Sequence, residues 1–351
     1  MVGKVTQFFL ILVGIIAVLG IFSTLTNSFG TITSANMFFL AIACFFFILS
    51  ILAWVFSWAF LLKKSSNLPF KGAVFAGFSS VYASIDPFQF GADAMRALLI
   101  KNWFNAPYSD SLAASMITKG LKFLLMALFA GIILLFFVFT QPDAWFTIAF
   151  FSGFVVILAA TLLFLLPMHK KVGFRIAGFF RHISKFWKKF LLAEKFFRSY
   201  SEYLCATSKK AIIAVFIIVS FSLFFEFLSL LFSFEAVGAS VPIELMAVLF
   251  IIAIVLDRAP FVPRGIGLVE SIGFSFVLIN VPSIPEQKIA GALVLFAIAR
   301  IVVPTILSFA FYIFCANRQP KKEGKSPESL PGKNKNKKPE KAVEKNNSPN
   351  N

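Results

Sequence analysis

The sequence predicts an all-α polytopic membrane protein, with about six full transmembrane helices and two broken, re-entrant helical segments. Three observations predict it. The first is composition. Of 351 residues, 59% are hydrophobic, 49 are Phe and only 14% are charged, and the mean hydropathy is +0.86. A soluble domain of this length would lack the polar surface that water requires. The second is run length. Several apolar stretches reach the ~20 residues a helix needs to cross a bilayer core, and in lipid a helix satisfies its own backbone. The third is charge placement. The net charge is +17, and Lys and Arg cluster in 63–71, 168–210 and 317–351.

The apolar spans fall at about 8–26, 38–62, 121–139, 145–167, 210–233 and 288–315. The first is expected to be a span rather than a cleaved leader, since no small-residue cleavage site follows it and further spans do. Connections 27–37, 140–144 and 234–243 contain no Lys or Arg. By the positive-inside rule they lie outside, and the basic segments lie in the cytoplasm. The expected protein is multi-pass in the cell (cytoplasmic) membrane, with cytoplasmic N- and C-termini.

Residues 1–316 read as one transmembrane domain. Within it, 172–206 alternates bases with aromatics. Phe186, Trp187, Phe190 and Leu191 recur at helical spacing, with Lys185, Lys188 and Lys189 between them. That pattern predicts an interfacial amphipathic helix whose lysines reach toward lipid phosphates. The plainer reading is a linker helix packed on the protein. Residues 317–351 are polar, lysine-rich and proline-containing, and are expected to be a disordered cytoplasmic tail.

Two segments fit no simple span. Segment 68–115 begins and ends on the cytoplasmic side; it is too apolar for a loop and too polar for a span. Segment 242–281 begins and ends outside. Its halves, 244–256 and 267–280, would each be ~20 Å long as helices, short of the ~30 Å hydrocarbon core. Each segment carries a break. The first reads Asp86-Pro87-Phe-Gln-Phe-Gly91-Ala-Asp93-Ala-Met-Arg96, and the second Pro260-Phe-Val-Pro263-Arg264-Gly265-Ile-Gly267-Leu-Val-Glu270. Proline and glycine interrupt the helix and free backbone groups. Such backbone is stable only against protein or a wet cavity. One break entered from inside and one from outside is the pattern an inverted-topology repeat leaves, with the substrate site at the repeat interface.

Other chemistries find no support. Cys44, Cys205 and Cys315 have no paired spacing, and His169 and His182 have no carboxylates at ligand spacing, so neither metal nor cofactor is implied. No nucleophile elbow, P-loop or dinucleotide fingerprint occurs. Basic charge beside apolar spans points to anionic headgroups rather than nucleic acid.

The stretch from Pro87 to Leu135 resembles the first signature region of the flippase-like membrane family that includes the transmembrane part of lysylphosphatidylglycerol synthases. "APFVPRGIGLVE" is similar to that family's second signature, a Pro-x-Pro-Gly-Gly-x-Gly-x-x-Glu-like stretch, and "AIARIVVPTI", with Arg300 and Pro304, looks like its final helix. The resemblance covers about residues 5–316. Two departures stand out. Arg264-Gly265 replaces the family's Gly-Gly, and Ile117-Thr118-Lys119 replaces an acidic-basic pair. No cytosolic aminoacyl-transfer domain follows the spans, so the expectation is a non-enzyme with the flippase-type half alone.

What the resemblance implies is translocation of an anionic phospholipid or a polyprenyl-phosphate glycolipid headgroup. Intramembrane charges are costly and mark pathways, which makes Asp93, Arg96, Arg264, Glu270 and Arg300 the substrate-binding candidates. The three arginines would hold phosphate oxygens bidentately, and Glu270 would pair with an arginine or with an amine-bearing headgroup. Pro87, Gly91, Pro260, Pro263, Gly265 and Gly267 would shape the backbone of the cavity. The competing reading makes Asp93–Arg96 and Glu270–Arg300 structural ion pairs. Glu226 is a further candidate, as a cavity residue or a proton site. A secondary transporter of a small anion or amphiphile, a non-catalytic membrane partner of a lipid-modifying enzyme, and an enzyme acting on a lipid-linked substrate are the alternative functions.

Overall fold

Where the sequence is apolar for twenty residues or more, the chain is helical. The computed structural model describes residues 2–66, 68–85, 91–140, 144–168, 170–184, 197–198, 200–203, 206–257 and 262–318. Pro87, Pro260, the aromatic run at 185–196 and the tail from 319 lie outside the described residues. Among those described, every regular element is helical.

The order begins with α1 (Val2–Leu25), the short α2 (Phe29–Thr33) and α3 (Met37–Ser66). The first broken segment follows as α4 (Phe70–Ser79), a 3-10 turn (Val81–Ile85) and α5 (Gly91–Phe104). Then come α6 (Tyr108–Thr140), α7 (Ala144–Leu165), α8 (Lys170–Ser184) and α9 (Lys209–Glu235). The second broken segment is α10 (Ile243–Leu256), a 3-10 turn (Pro263–Gly265) and α11 (Leu268–Asn280). Last are α12 (Glu286–Ala297), a π turn (Ile298–Val302) and α13 (Val303–Arg318).

Among the described residues, four stretches are long and apolar enough to cross a bilayer: Met37–Lys63, Tyr108–Leu135, Lys209–Glu235 and Glu286–Cys315. The expected spans at 8–26 and 145–167 coincide with α1 and α7. Leu135, Phe151, Ile213 and Phe224 each expose more than half of their surface. Large apolar side chains on the outside of a bundle suit hydrocarbon, not water.

The two halves of the second broken segment have 14 and 13 residues, about 20 Å each, and pack against one another. Two elements differ from their sequence reading. The helix expected at 121–139 begins at Tyr108. Lys119 lies on the added part and Lys122 just beyond it, and both are paired with carboxylates inside the protein. The span expected at 288–315 is one helix interrupted by the π turn at Arg300. Pro304 follows at once; it has no N–H to offer the Arg300 carbonyl four residues back, and a π bulge is a common local answer to such a defect.

Packing centres on α3 and α9, which run together along their length. Phe46 stacks on Phe232 and Phe225 at centroid distances of 5.5 and 6.0 Å. Halfway along, aromatic contact gives way to serine. Ser50 and Ser222 share a hydrogen bond of 3.0 Å between their hydroxyls. Small polar residues let the two helices approach closely and satisfy each other without water. Helix α8 carries Lys170, Lys171, Arg175 and Arg181 among Phe174, Ile176, Phe179 and Phe180, so the described part of the expected interfacial segment is amphipathic.

Candidate functional site: a buried ionic cavity between two broken helices

The two breaks meet. The 3-10 turn Val81–Ile85 touches the 3-10 turn Pro263–Gly265, and Tyr82 and Ile85 pack with Val262 and Ile266. Around these turns α4 packs on α5 and α10 on α11, and the charged residues that flank them are buried: Asp93, Arg96, Asp257 and Glu270.

The second tip is built by backbone geometry. Arg264, Gly265 and Gly267 all have positive φ, at 50°, 62° and 83°. A Cβ on Gly265 would lie 2.3 Å from the Leu256 carbonyl oxygen and 2.9 Å from the Asp257 nitrogen. Gly265 therefore presses backbone on backbone at the end of α10; the close approach is to the protein's own chain rather than to the cavity. Gly267 begins α11, and its N–H donates to Glu270 Oε2 at 2.5 Å, half of a capping box. Glu270 Oε1 accepts from Arg300 Nη2 at 3.2 Å. Glu270 thus fastens the start of α11 to the π turn.

Asp257, at the end of α10, is the hub of this tip. Its Oδ1 lies 3.1 Å from Arg300 Nη1 and 3.4 Å from Arg264 Nε. Arg264 Nη1 donates to the Arg300 carbonyl at 2.9 Å, the carbonyl that Pro304 leaves without its helical donor. A proline, a π turn and a left-handed arginine therefore form one unit.

The first tip delivers Asp93 and Arg96 on α5. Asp93 Oδ1 is 3.7 Å from Arg96 Nη1, and Asp93 Oδ2 accepts from Lys119 Nζ of α6. Arg96 is 0% exposed. Its guanidinium carbon stands 4.1 Å from the Trp54 ring centre and 5.3 Å from that of Trp58, and Nε donates to Ser80 at 3.0 Å. Desolvated cation–π contacts of this kind hold a guanidinium in place. On the next turn of α6, Lys122 donates to Glu226 Oε1 of α9 at 2.7 Å, and Ser50 donates to the same oxygen at 3.0 Å.

Between these groups lies a cavity of about 60 Å³. Its polar lining is Asp93, Lys119, Lys122, Glu226, Asp257 and Arg264, with Ser50 and Ser84; Phe47, Ile51, Trp54 and Val81 supply most of the rest. A side lobe of about 10 Å³ reaches Arg300 and Phe296. Nearby, α6, α7, α10 and α11 enclose an apolar groove of about 400 Å³ that ends at Val255 and Leu256, beside Asp257.

The sequence candidates sort accordingly. Asp93 and Arg264 line the main cavity, and Arg300 lines its side lobe. Arg96 and Glu270 line neither and are held by the protein itself. Gly91 starts α5, and Pro263 starts the second 3-10 turn. Glu226, a secondary candidate, lies on the wall. Lys119, Lys122 and Asp257, all on the cavity wall, are not among the sequence candidates. The available signal was that 119 and 122 are three apart, hence on one face of a helix.

This arrangement has a counterpart among known sequences. The family model for the lysylphosphatidylglycerol synthase TM region matches residues 9–308. The chain belongs to the lysylphosphatidylglycerol synthase TM region family. Both broken segments and the π turn lie inside the matched range. It is also similar to a protein of Methanothermobacter thermautotrophicus described as a UPF0104 membrane protein, at 21% identity over 323 residues, covering 87% of this chain and 92% of the relative. No solved structure matches this family member.

Proposed function

We propose that the protein translocates a lipid headgroup, an anionic phospholipid or a lipid-linked phosphate, across the cell membrane. In this reading α10–α11 and α4–α5 are re-entrant from opposite faces, α1 and α7 complete the spanning set, and both termini are cytoplasmic. One observation carries it: both breaks line a single buried cavity whose polar groups are lysine, arginine and paired carboxylates. Charge buried at that depth is expensive and is retained where something polar must pass. The apolar groove at the end of α10 supports a lipid over a small free solute, because it leaves room for an acyl chain beside the polar wall. The cavity is small, and that favours the second reading, a transporter of a small anion. Headgroup passage requires the two tips to part, and their mutual contact is the element that would move.

The mechanism is non-covalent. Lysine and arginine on the wall exchange their carboxylate partners for phosphate oxygens, and the carboxylates keep the cations neutralised between passages. Glu270 and Arg300 hold the second tip in the geometry that presents Arg264 and Asp257. The test is reconstitution in vesicles with a headgroup-labelled anionic phospholipid and an impermeant quencher. Wild type is expected to expose the inner-leaflet label faster than empty vesicles, and Glu270→Ala and Arg300→Ala to slow it. Wild-type rates equal to empty vesicles under every gradient would sink the translocation reading. Variants that match wild type would sink the assignment of these two residues.

A further inference from the structure

We infer that the π turn Ile298–Val302 is the joint at which the two tips part, and that Ser308 carries its bending to the first tip. The inference rests on the headgroup reading above and deepens it by naming the hinge that passage requires.

The joint is written into the sequence. Pro304 brings no N–H, so the helix that starts at Glu286 cannot keep its register through this point. The Val303 N–H instead reaches the Ile298 carbonyl, five residues back. Single-turn π bulges are a known cause of sharp helix kinks and recur at functional sites. The two sides of the joint differ. On one side α12 buries every residue from Ile289 to Ala297 and packs on α2, α9 and α11. On the other, α13 turns Ile306, Leu307 and Phe314 outward, each more than two-fifths exposed. Hydrocarbon yields to a moving helix where a close-packed core does not. Helix α12 is therefore the fixed arm and α13 the swinging one.

The tips hang from different parts of this lever. The second is tied at the joint itself, by Arg264 Nη1 on the Arg300 carbonyl and by Arg300 Nη2 on Glu270. The first is tied to α13. Ser308, fully buried, accepts from the Tyr82 N–H at 2.8 Å and donates to the Phe78 carbonyl at 2.8 Å. The Tyr82 ring centre lies 5.3 Å from those of Phe309 and Tyr312. Helix α4 stays behind: Gly77 is so close to α3 that a Cβ there would come within 2.6 Å of Val55. Bending of α13 thus falls on the 3-10 turn Val81–Ile85, whose hydrogen-bond geometry is the poorer kind.

The lever is long enough. Ser308 lies eight residues beyond Arg300, about 12 Å along a helix axis. A kink of about 20° carries it by about 4 Å, the full reach of an apolar contact. That suffices to lift Tyr82 and Ile85 off Val262 and Ile266.

Hydrogen exchange of the full-length protein in lipid nanodiscs, read by mass spectrometry, tests the joint. Pro304→Ala supplies the missing N–H and is expected to slow exchange across residues 78–85 by about tenfold, the scale of one added hydrogen bond. Ser308→Ala cuts the tie, so the double variant is expected to exchange there as Ser308→Ala does alone. Unchanged exchange in Pro304→Ala, or equal slowing with and without Ser308, overturns the proposal. A converse experiment keeps the joint native. With Cys44, Cys205 and Cys315 replaced by alanine, Ile85→Cys and Ile266→Cys are joined by a bismaleimide. Exchange across 298–308 is expected to slow by about tenfold once the tips are linked; no slowing overturns the proposal whatever the fate of Pro304→Ala. In the vesicle assay the linked protein is expected to lose headgroup exposure and the unlinked form to keep it, and equal rates overturn the role of the joint. If the exchange results hold and wild type moves no lipid, translocation fails and the joint stands.

Discussion

Gly265 and Gly267 both have positive φ, at 62° and 83°, yet substituting them should have different consequences. An alanine in the left-handed region costs roughly 1–2 kcal/mol relative to glycine, and both positions incur that. At Gly267 the added methyl meets only Val18 Cγ1, at 3.5 Å, an ordinary contact, so Gly267→Ala is expected to lose about 1–2 kcal/mol and no more. At Gly265 the methyl would sit 2.3 Å from the Leu256 carbonyl oxygen, 2.6 Å from its carbon and 2.9 Å from the Asp257 nitrogen. Backbone cannot rotate away as a side chain can. The end of α10 must shift by about 1 Å, and overpacking of that kind costs a further ~1–3 kcal/mol. Gly265→Ala should therefore lose roughly 2–5 kcal/mol in all. Gly14→Ala, in a helix with nothing within 4 Å of the new methyl, is the control and should gain up to about 1 kcal/mol. Thermal unfolding of the purified protein in detergent ranks the three. Equal losses at 265 and 267 would refute the claim that the second tip is set by backbone contact. Because Asp257 moves with α10 and lines the cavity, Gly265→Ala should also slow headgroup exposure in the vesicle assay while Gly267→Ala spares it.

Lys122→Met or Glu226→Gln alone leaves the other charge buried and should cost about 3–5 kcal/mol. The double variant should cost less than the sum, and a double-mutant cycle in detergent melts reads the coupling; additive losses would mean that the pair observed at 2.7 Å does not persist. Trp58→Phe removes the indole donor to the Ser111 carbonyl, a bond of 3.1 Å, and should cost about 1–3 kcal/mol by leaving that buried acceptor unmet. With Cys44, Cys205 and Cys315 replaced by alanine, Ser34→Cys should react with an impermeant maleimide on intact cells, and Arg181→Cys only after permeabilisation. The reverse pattern would invert the assigned orientation.

How much of this was legible in the sequence depends on how local the signal is. Hydrocarbon runs along the chain announced α3, α9 and the α12–α13 pair, and prolines with glycines announced both breaks. The glycine at 265 was legible as part of a break, but what it packs on and what its neighbour does were not: only the fold reveals that it presses on the end of α10 and that a left-handed arginine caps the carbonyl Pro304 cannot reach. The lysines at 119 and 122, beyond their shared helix face, carried no sign of a site along the chain. Their carboxylate partners are 26 and 104 residues away, and no window along the chain can see a charge neutralised from that distance. For the same reason Arg96 read as a phosphate ligand; two tryptophans from α3 and Ser80, the residue that ends α4, enclose it instead.

By itself, then, the chain determined its solvent and its helices, because burial in lipid depends on how apolar each stretch is and backbone satisfaction depends on where proline and glycine fall. Which charges face the cavity and which are locked away was decided only by the tertiary structure. An ionised group inside a bundle takes its role from the partner that packing brings within about 3–4 Å, and that partner comes from another helix.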